Sequence, residues 1–210
     1  MTNKEKAKKV VKELIKRYGA EIPLYLHYHK NKPYEFLFAV MMSAQCTDKR
    51  VNEVTKDLFK KYNTLQSFAN VKQKVLEIDI HSVGFYHNKA KSIINCAKTL
   101  ITDHKGKIPN DFDELVKLPG VGRKTASVVI SRLYGIPAMA VDTHVARISK
   151  ILFRLNTKNV REIEEFLKET VEKKYWELWN THIIALGREI CIARRPKCEL
   201  CPLYKYCKEY

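Results

Sequence analysis

Two residues and one group of cysteines hold the chemistry open to this sequence. Lys124 lies in the run Leu118-Pro119-Gly120-Val121-Gly122-Arg123-Lys124-Thr125-Ala126. An amine can form a Schiff base with a carbonyl, but a solvated lysine, with a pKa of about 10.4, is protonated and a poor nucleophile at neutral pH. The sequence places Lys124 in the first turn of a helix. There the positive end of the helix dipole, neighbouring cations and partial desolvation would all disfavour the charged form. The same position suits a simple phosphate contact, and residue type and place weigh the two roles evenly. Asp142 sits in Val141-Asp142-Thr143-His144. Facing an amine, its carboxylate could stabilise a cationic sugar and move protons. In isolation Asp142 or Thr143 is an N-cap, and His144 is a structural or supporting hydrogen-bonding residue rather than a catalyst. The third feature is Cys191-x6-Cys198-x2-Cys201-x5-Cys207. Four thiolates in so short a loop can close round one metal centre, and burying them without a cation would be costly. Zinc is the generic occupant of a four-cysteine site; an iron–sulfur cluster uses the same donors.

The elements that must position these groups are helices. Apolar residues at Val145, Ile148, Ile151 and Leu152, and at Val160, Ile163, Phe166, Leu167 and Val171, each follow one helix face. Alternating strands joined by Asn-Gly or Asp-Gly turns are missing. Helices are expected near Thr2–Gly19, Pro33–Met42, Lys49–Tyr62, Val71–Ile78, Asn88–His104, Asp111–Leu118, Lys124–Tyr134, Thr143–Leu155, Val160–Lys173 and Lys174–Gly187, with Gly19, Gly135 and Gly187 as C-terminal caps. The fold class is all-α. Within it, Pro119 ends one helix, and Gly120 and Gly122 permit positive φ and close approach of another backbone. The next helix then starts with its free N–H groups pointing outward, which is a phosphate site reinforced by Arg123 and Lys124.

Charge selects the partner. Lys plus Arg number 39 against 23 Asp plus Glu, a net +16. Such a surplus concentrates polyanions, of which nucleic acid is the usual one, and predicts binding that weakens steeply with salt. A merely basic surface is the plain alternative. The apolar fraction of 45% belongs to an ordinary globular chain. Its longest apolar run, Phe36–Met42, is far below the roughly 20 residues of a membrane span. No apolar signal segment follows the Lys-rich start, so a cytoplasmic location is expected.

Together these pieces resemble the endonuclease III family of helix-hairpin-helix DNA glycosylase/AP lyases, along nearly the whole chain. The resemblance is carried by Met42-Ser43-Ala44-Gln45, Thr47-Asp48, Gly84-Phe85-Tyr86 with Asn88-Lys89-Ala90, Leu118 to Ala126, Val141 to His144, and Gly187-Arg188 followed by Cys191-Ile192-Ala193-Arg194. It implies two helical lobes with a DNA-binding groove between them. One is a six-helix barrel over residues 23–134, with the hairpin at about 111–134. The other joins residues 1–22 to 135–210 and holds one 4Fe–4S cluster in loop 191–207, whose cysteine spacing matches the family's. It further implies that Lys124 is the Schiff-base lysine and Asp142 the catalytic aspartate. Gln45 matches the family's residue that fills the gap left by a flipped nucleotide, and Phe85 occupies the wedge position, where many members carry Leu. By the same resemblance, Leu118, Gly120, Val121, Gly122 and Arg123 are expected to bind the DNA backbone through the hairpin, with Arg195 at the cluster loop. Cys46, where a small Ala is common, is expected to be buried. The implied enzyme is a monomer acting on damaged or abasic double-stranded DNA, nucleoid-associated when bound. A mismatch thymine or uracil glycosylase on the same scaffold, and a non-catalytic hairpin module, are the alternatives. An adenine glycosylase fits poorly, given Lys124 and Val40.

Overall fold

The chain divides into two compact units, Leu24–Ile136 and Met1–Pro23 with Pro137–Tyr210. The computed structural model describes residues 1–23 and 25–208, and all regular structure among the described residues is helical.

The discontinuous unit opens with α1 (Asn3–Tyr18). The Thr2 hydroxyl accepts from the Glu5 amide and the Glu5 carboxylate accepts from the Thr2 amide, a reciprocal cap that fixes where the helix begins. Gly19 ends it with φ 89°. Its stripe of Val10, Val11 and Leu14 is buried, as the periodicity requires.

The continuous unit is built from α2 (Pro33–Met42), α3 (Asp48–Lys61), α4 (Leu65–Asn70), α5 (Gln73–Asp79), α6 (Tyr86–His104), α7 (Phe112–Lys117) and α8 (Arg123–Tyr134). Helix α2 explains the long apolar run. Phe36 to Met42 are buried all round, because α3, α6 and α8 all pack on it. Phe38 meets Phe68 of α4 at 4.9 Å between ring centroids, and Tyr62 closes on the same ring at 5.2 Å. Helix α4 was not expected from the pattern. Its six residues are too few for a period to show, and the Thr64 cap is its one local signal. Helix α5 starts at Gln73 rather than Val71, and a 3₁₀ turn at His81–Val83 leads towards α6.

The chain then returns to the first unit with α9 (Thr143–Phe153), α10 (Val160–Thr170), α11 (Trp176–Glu189) and α12 (Tyr204–Lys208). Leu14, Ile148, Leu152, Leu167, Trp179 and Ile183 belong to its shared core. Gly19 and Gly135 do cap helices. Gly187 does not: α11 runs on through it to Glu189, and a Cβ there would lie 2.5 Å from His144 Nδ1. Its glycine is required by the close crossing of α9 and α11. Glu209 and Tyr210, expected in this unit, lie outside the described residues. No helix among the described residues is long and apolar enough to cross a membrane.

Candidate active site and metal centre

The hairpin joins α7 to α8. Asp111 caps α7 by accepting from the Asp113 and Glu114 amides, and Leu118 ends it in extended backbone. The two glycines then take different tasks. Gly120 has φ 77°, and a Cβ on it would fall 2.5 Å from Ser92 Cβ and 2.9 Å from Met41 Cε, so this residue seats the turn against α6 and α2. Gly122 has φ −85° and open space where a Cβ would stand. It is the N-cap of α8 and offers no capping side chain, which leaves the positive end of the helix open to an anion. Leu118 and Val121 are buried, so only their main chain is available to a DNA strand. Arg123 is exposed over the Phe112 ring at 4.8 Å. Lys124 is exposed at the second position of α8. The expected partial desolvation is therefore not supplied by the chain around it.

Two loops of the same unit present the expected duplex-opening residues. Gln45, after α2, and Phe85, before α6, have φ of 55° and 48°, a left-handed conformation unusual for such side chains. Both are exposed; Phe85 leaves 64% of its surface to solvent. They line one cleft of about 240 Å³ with Met41, Ala44, Asn88, Lys89, Ser92 and Gly120. The hairpin glycine and both loops thus border a single depression. Cys46 is half-exposed rather than buried: it closes the turn after α2, its amide donating to the Ser43 carbonyl, and so lies between α2 and α3 rather than on a buried helix face. Lys89 had no function assigned from its type. It is buried, and its Nζ donates to the carbonyls of Met42 at 2.8 Å and Val83 at 2.9 Å. A lysine within a helix gives no sign in sequence that it turns inward.

Asp142 belongs to the other unit. It is half-buried and caps α9, its Oδ1 accepting from the Val145 amide at 2.8 Å, so the N-cap reading holds. That bond uses one carboxylate oxygen and fixes the direction of the other. His144 packs against Gly187 and lies 3.5 Å from Arg147, a structural placement.

The four cysteines follow α11. Cys191, Cys201 and Cys207 are half-buried against the core of their unit, and Cys198 is exposed. Burial raises the Cys207 thiol to about 11, helped by the charges of Cys201, Cys191 and Cys198. Cys201 is raised by burial and then by Cys191 and Cys198. The thiols are thus near enough to resist ionising together, and a shared cationic centre relieves that repulsion. Among the described residues no group of three or more ligating side chains is arranged to hold a single metal ion. Arg147 Nη1 approaches Cys191 Sγ at 3.5 Å and adds a positive charge outside the set. Arg195 is exposed on the loop between Cys191 and Cys198.

An all-helical chain with a glycine hairpin, a lysine at the following helix start and a four-cysteine loop defines a class, and the family comparison names it. Residues 38–173 match the HhH-GPD superfamily of base excision DNA repair proteins, and residues 191–207 the iron–sulfur binding domain of endonuclease III. Endonuclease III of Bacillus subtilis (strain 168) is 49% identical over 182 residues, covering 86% of this chain and 83% of that relative. The chain belongs to the endonuclease III family. Among solved structures, a trapped endonuclease III–DNA covalent intermediate superposes with a TM-score of 0.91 at 43% identity, covering 100% of this chain and 97% of that one. A thermostable thymine-DNA glycosylase, at 23% identity and TM-score 0.85 over 98% and 97% of the two chains, shares the fold.

Proposed function

We propose that this protein excises oxidised pyrimidines from double-stranded DNA and cuts the strand at the resulting abasic site, with Lys124 as the one nucleophile for both steps. The likeness to a relative caught as a covalent DNA intermediate carries the reading, since Lys124 is the exposed amine at the open end of the hairpin helix. DNA docks with a phosphate on the amides beyond Gly122, and the covering backbone supplies the desolvation that the free chain lacks. The damaged nucleotide leaves the stack, Gln45 fills the gap and Phe85 wedges the strand. The neutral Lys124 amine attacks C1′, the C1′–N bond breaks, and the base departs with that electron pair and a proton. Loss of the amine proton and ring opening give an imine. The imine acidifies the C2′ proton; its removal expels the 3′ phosphate, and water then releases Lys124 from the sugar. Asp142 supports the developing positive charge on the sugar and relays these protons.

Cys191, Cys198, Cys201 and Cys207 would hold the 4Fe–4S cluster, whose cationic core would offset part of the thiolate charge and tie the basic loop into one shape. Arg195 on that loop meets a DNA phosphate. The enzyme acts as a monomer in the cytoplasm, on the nucleoid. The test is excision and strand cleavage on duplexes bearing thymine glycol, uracil or a mismatched thymine. Cleavage of the thymine glycol strand with a β-elimination end is expected. Action confined to uracil or mismatched thymine, without strand cleavage, would replace this reading by that of a mismatch glycosylase.

A further inference from the structure

The buried ammonium of Lys89 sits where two helix ends converge. It donates to Met42, the last residue of α2, and to Val83, the last residue of the 3₁₀ turn before α6. Carbonyls at helix C-termini lack partners within the helix, and a cation there is favoured by the dipole as well. Gln45 follows Met42 by three residues and Phe85 follows Val83 by two. Each bond therefore fixes the backbone just ahead of a side chain held at positive φ. Non-glycine residues keep that conformation only where the surroundings over-determine it. Burial pushes the ammonium below the usual lysine range, with the nearby Cys46 opposing that shift, and the two carbonyl contacts are the geometry that holds the side chain in place.

We propose that Lys89 is a positioning residue that locks the Gln45 and Phe85 loops into one preorganised wedge for opening the duplex. The proposal rests on the assignment of those two side chains to duplex opening. One charged group shared by both loops makes them move together, so that gap-filler and wedge enter the stack as a pair. Separate loops would each need ordering when DNA arrives, and that ordering would slow extrusion.

The experiment compares two substrates in single-turnover reactions of the cluster-loaded enzyme. One is a paired duplex with thymine glycol opposite 2-aminopurine; the other carries a preformed abasic site in an unpaired bulge, where nothing must be pushed out. For Lys89→Met, the ratio of duplex excision to bulge cleavage should fall at least tenfold. The fluorescence rise of the estranged 2-aminopurine should slow by the same factor. An equal loss on both substrates overturns the proposal and leaves Lys89 a residue of general stability; so does a ratio within twofold of wild type. Should Lys89→Met not fold, Lys89→Gln takes its place, its shorter amide reaching one carbonyl rather than both, and the same ratio decides. Gln45→Ala and Phe85→Ala serve as the reference. If these keep the wild-type ratio, the assignment of the wedge fails. If they lose it while the Lys89 variants keep it, the locking role alone fails.

Discussion

The two hairpin glycines, separated by Val121, should fail in opposite ways. In Gly120→Ala the new methyl meets Ser92 Cβ at 2.5 Å and Ser92 Oγ at 2.8 Å, and the residue must hold φ 77°. Left-handed backbone costs an alanine roughly 1–2 kcal/mol, and forcing a methyl into packed surroundings costs roughly 1–3 kcal/mol more. Because Ser92 Cβ cannot swing aside as the Met41 tip can, a loss of about 3 kcal/mol is expected. In a chain of this size that lowers the melting temperature by roughly 6–12 °C. Gly122→Ala meets nothing and keeps an ordinary extended φ of −85°. The weaker N-cap costs about 0.5–1 kcal/mol, and a stiffer unfolded chain offsets it by about 0.4–1 kcal/mol. Stability should stay level. On the proposed docking, the methyl instead stands where a phosphate approaches the amides of α8. Losing one charge-assisted hydrogen bond, about 1.5–3 kcal/mol, weakens binding of DNA containing an abasic analogue roughly tenfold to a hundredfold. Thermal melts and fluorescence anisotropy on both variants read the two effects separately. If Gly122→Ala binds DNA as wild type, or melts as early as Gly120→Ala, the division of labour in the hairpin is refuted.

Two further outcomes follow from the discontinuous unit. Cys201→Ser should purify without the brown colour and with its iron lost, and should melt earlier than wild type, since Cys201 packs on the core that the loop covers; iron analysis and visible absorption check this, and a fully iron-loaded variant would contradict it. His182 is buried with its Nε2 2.8 Å from the Gly19 carbonyl, and burial lowers its pKa below the usual value despite that bond. The unfolded chain then binds this proton more readily, so stability should fall as pH drops below about 6.5 towards the depressed folded value. His182→Gln keeps a donor but cannot titrate, and its melting temperature between pH 7.5 and 5 should decline less than that of wild type; parallel profiles would rule out His182 as the source.

The longer helices were legible because they carry a buried stripe, and α1, α3, α7, α8, α9 and α10 also have a side-chain cap or a glycine stop. Thr2, Thr47, Asp111 and Asp142 all cap where their residue types suggest. What escaped was set by tertiary contact. Gly187 resembles a stop signal but is a gap left for His144. Helix α4 is too short to display a period. Positive φ at Gln45 and Phe85 leaves no trace in residues that are not glycine, and the inward turn of Lys89 depends on two carbonyls brought together only by the fold. Lys124 shows the reverse limit. Its place at the start of α8 was readable, whereas its exposure there was not, because the expected burial depended on how the chain packs around that turn. The four cysteines were readable as a set from spacing, and the match of residues 191–207 to the iron–sulfur binding domain of endonuclease III supports one shared centre.

The central claim is that one amine performs both excision and strand cleavage. Borohydride reduction during reaction with a thymine glycol duplex tests it most directly, because it fixes the imine as a stable protein–DNA adduct. Wild-type protein should yield an adduct whose peptide map places the sugar on Lys124, and Lys124→Ala should yield none while still binding the DNA. An adduct of undiminished yield in Lys124→Ala, or one mapped to another residue, would contradict the account.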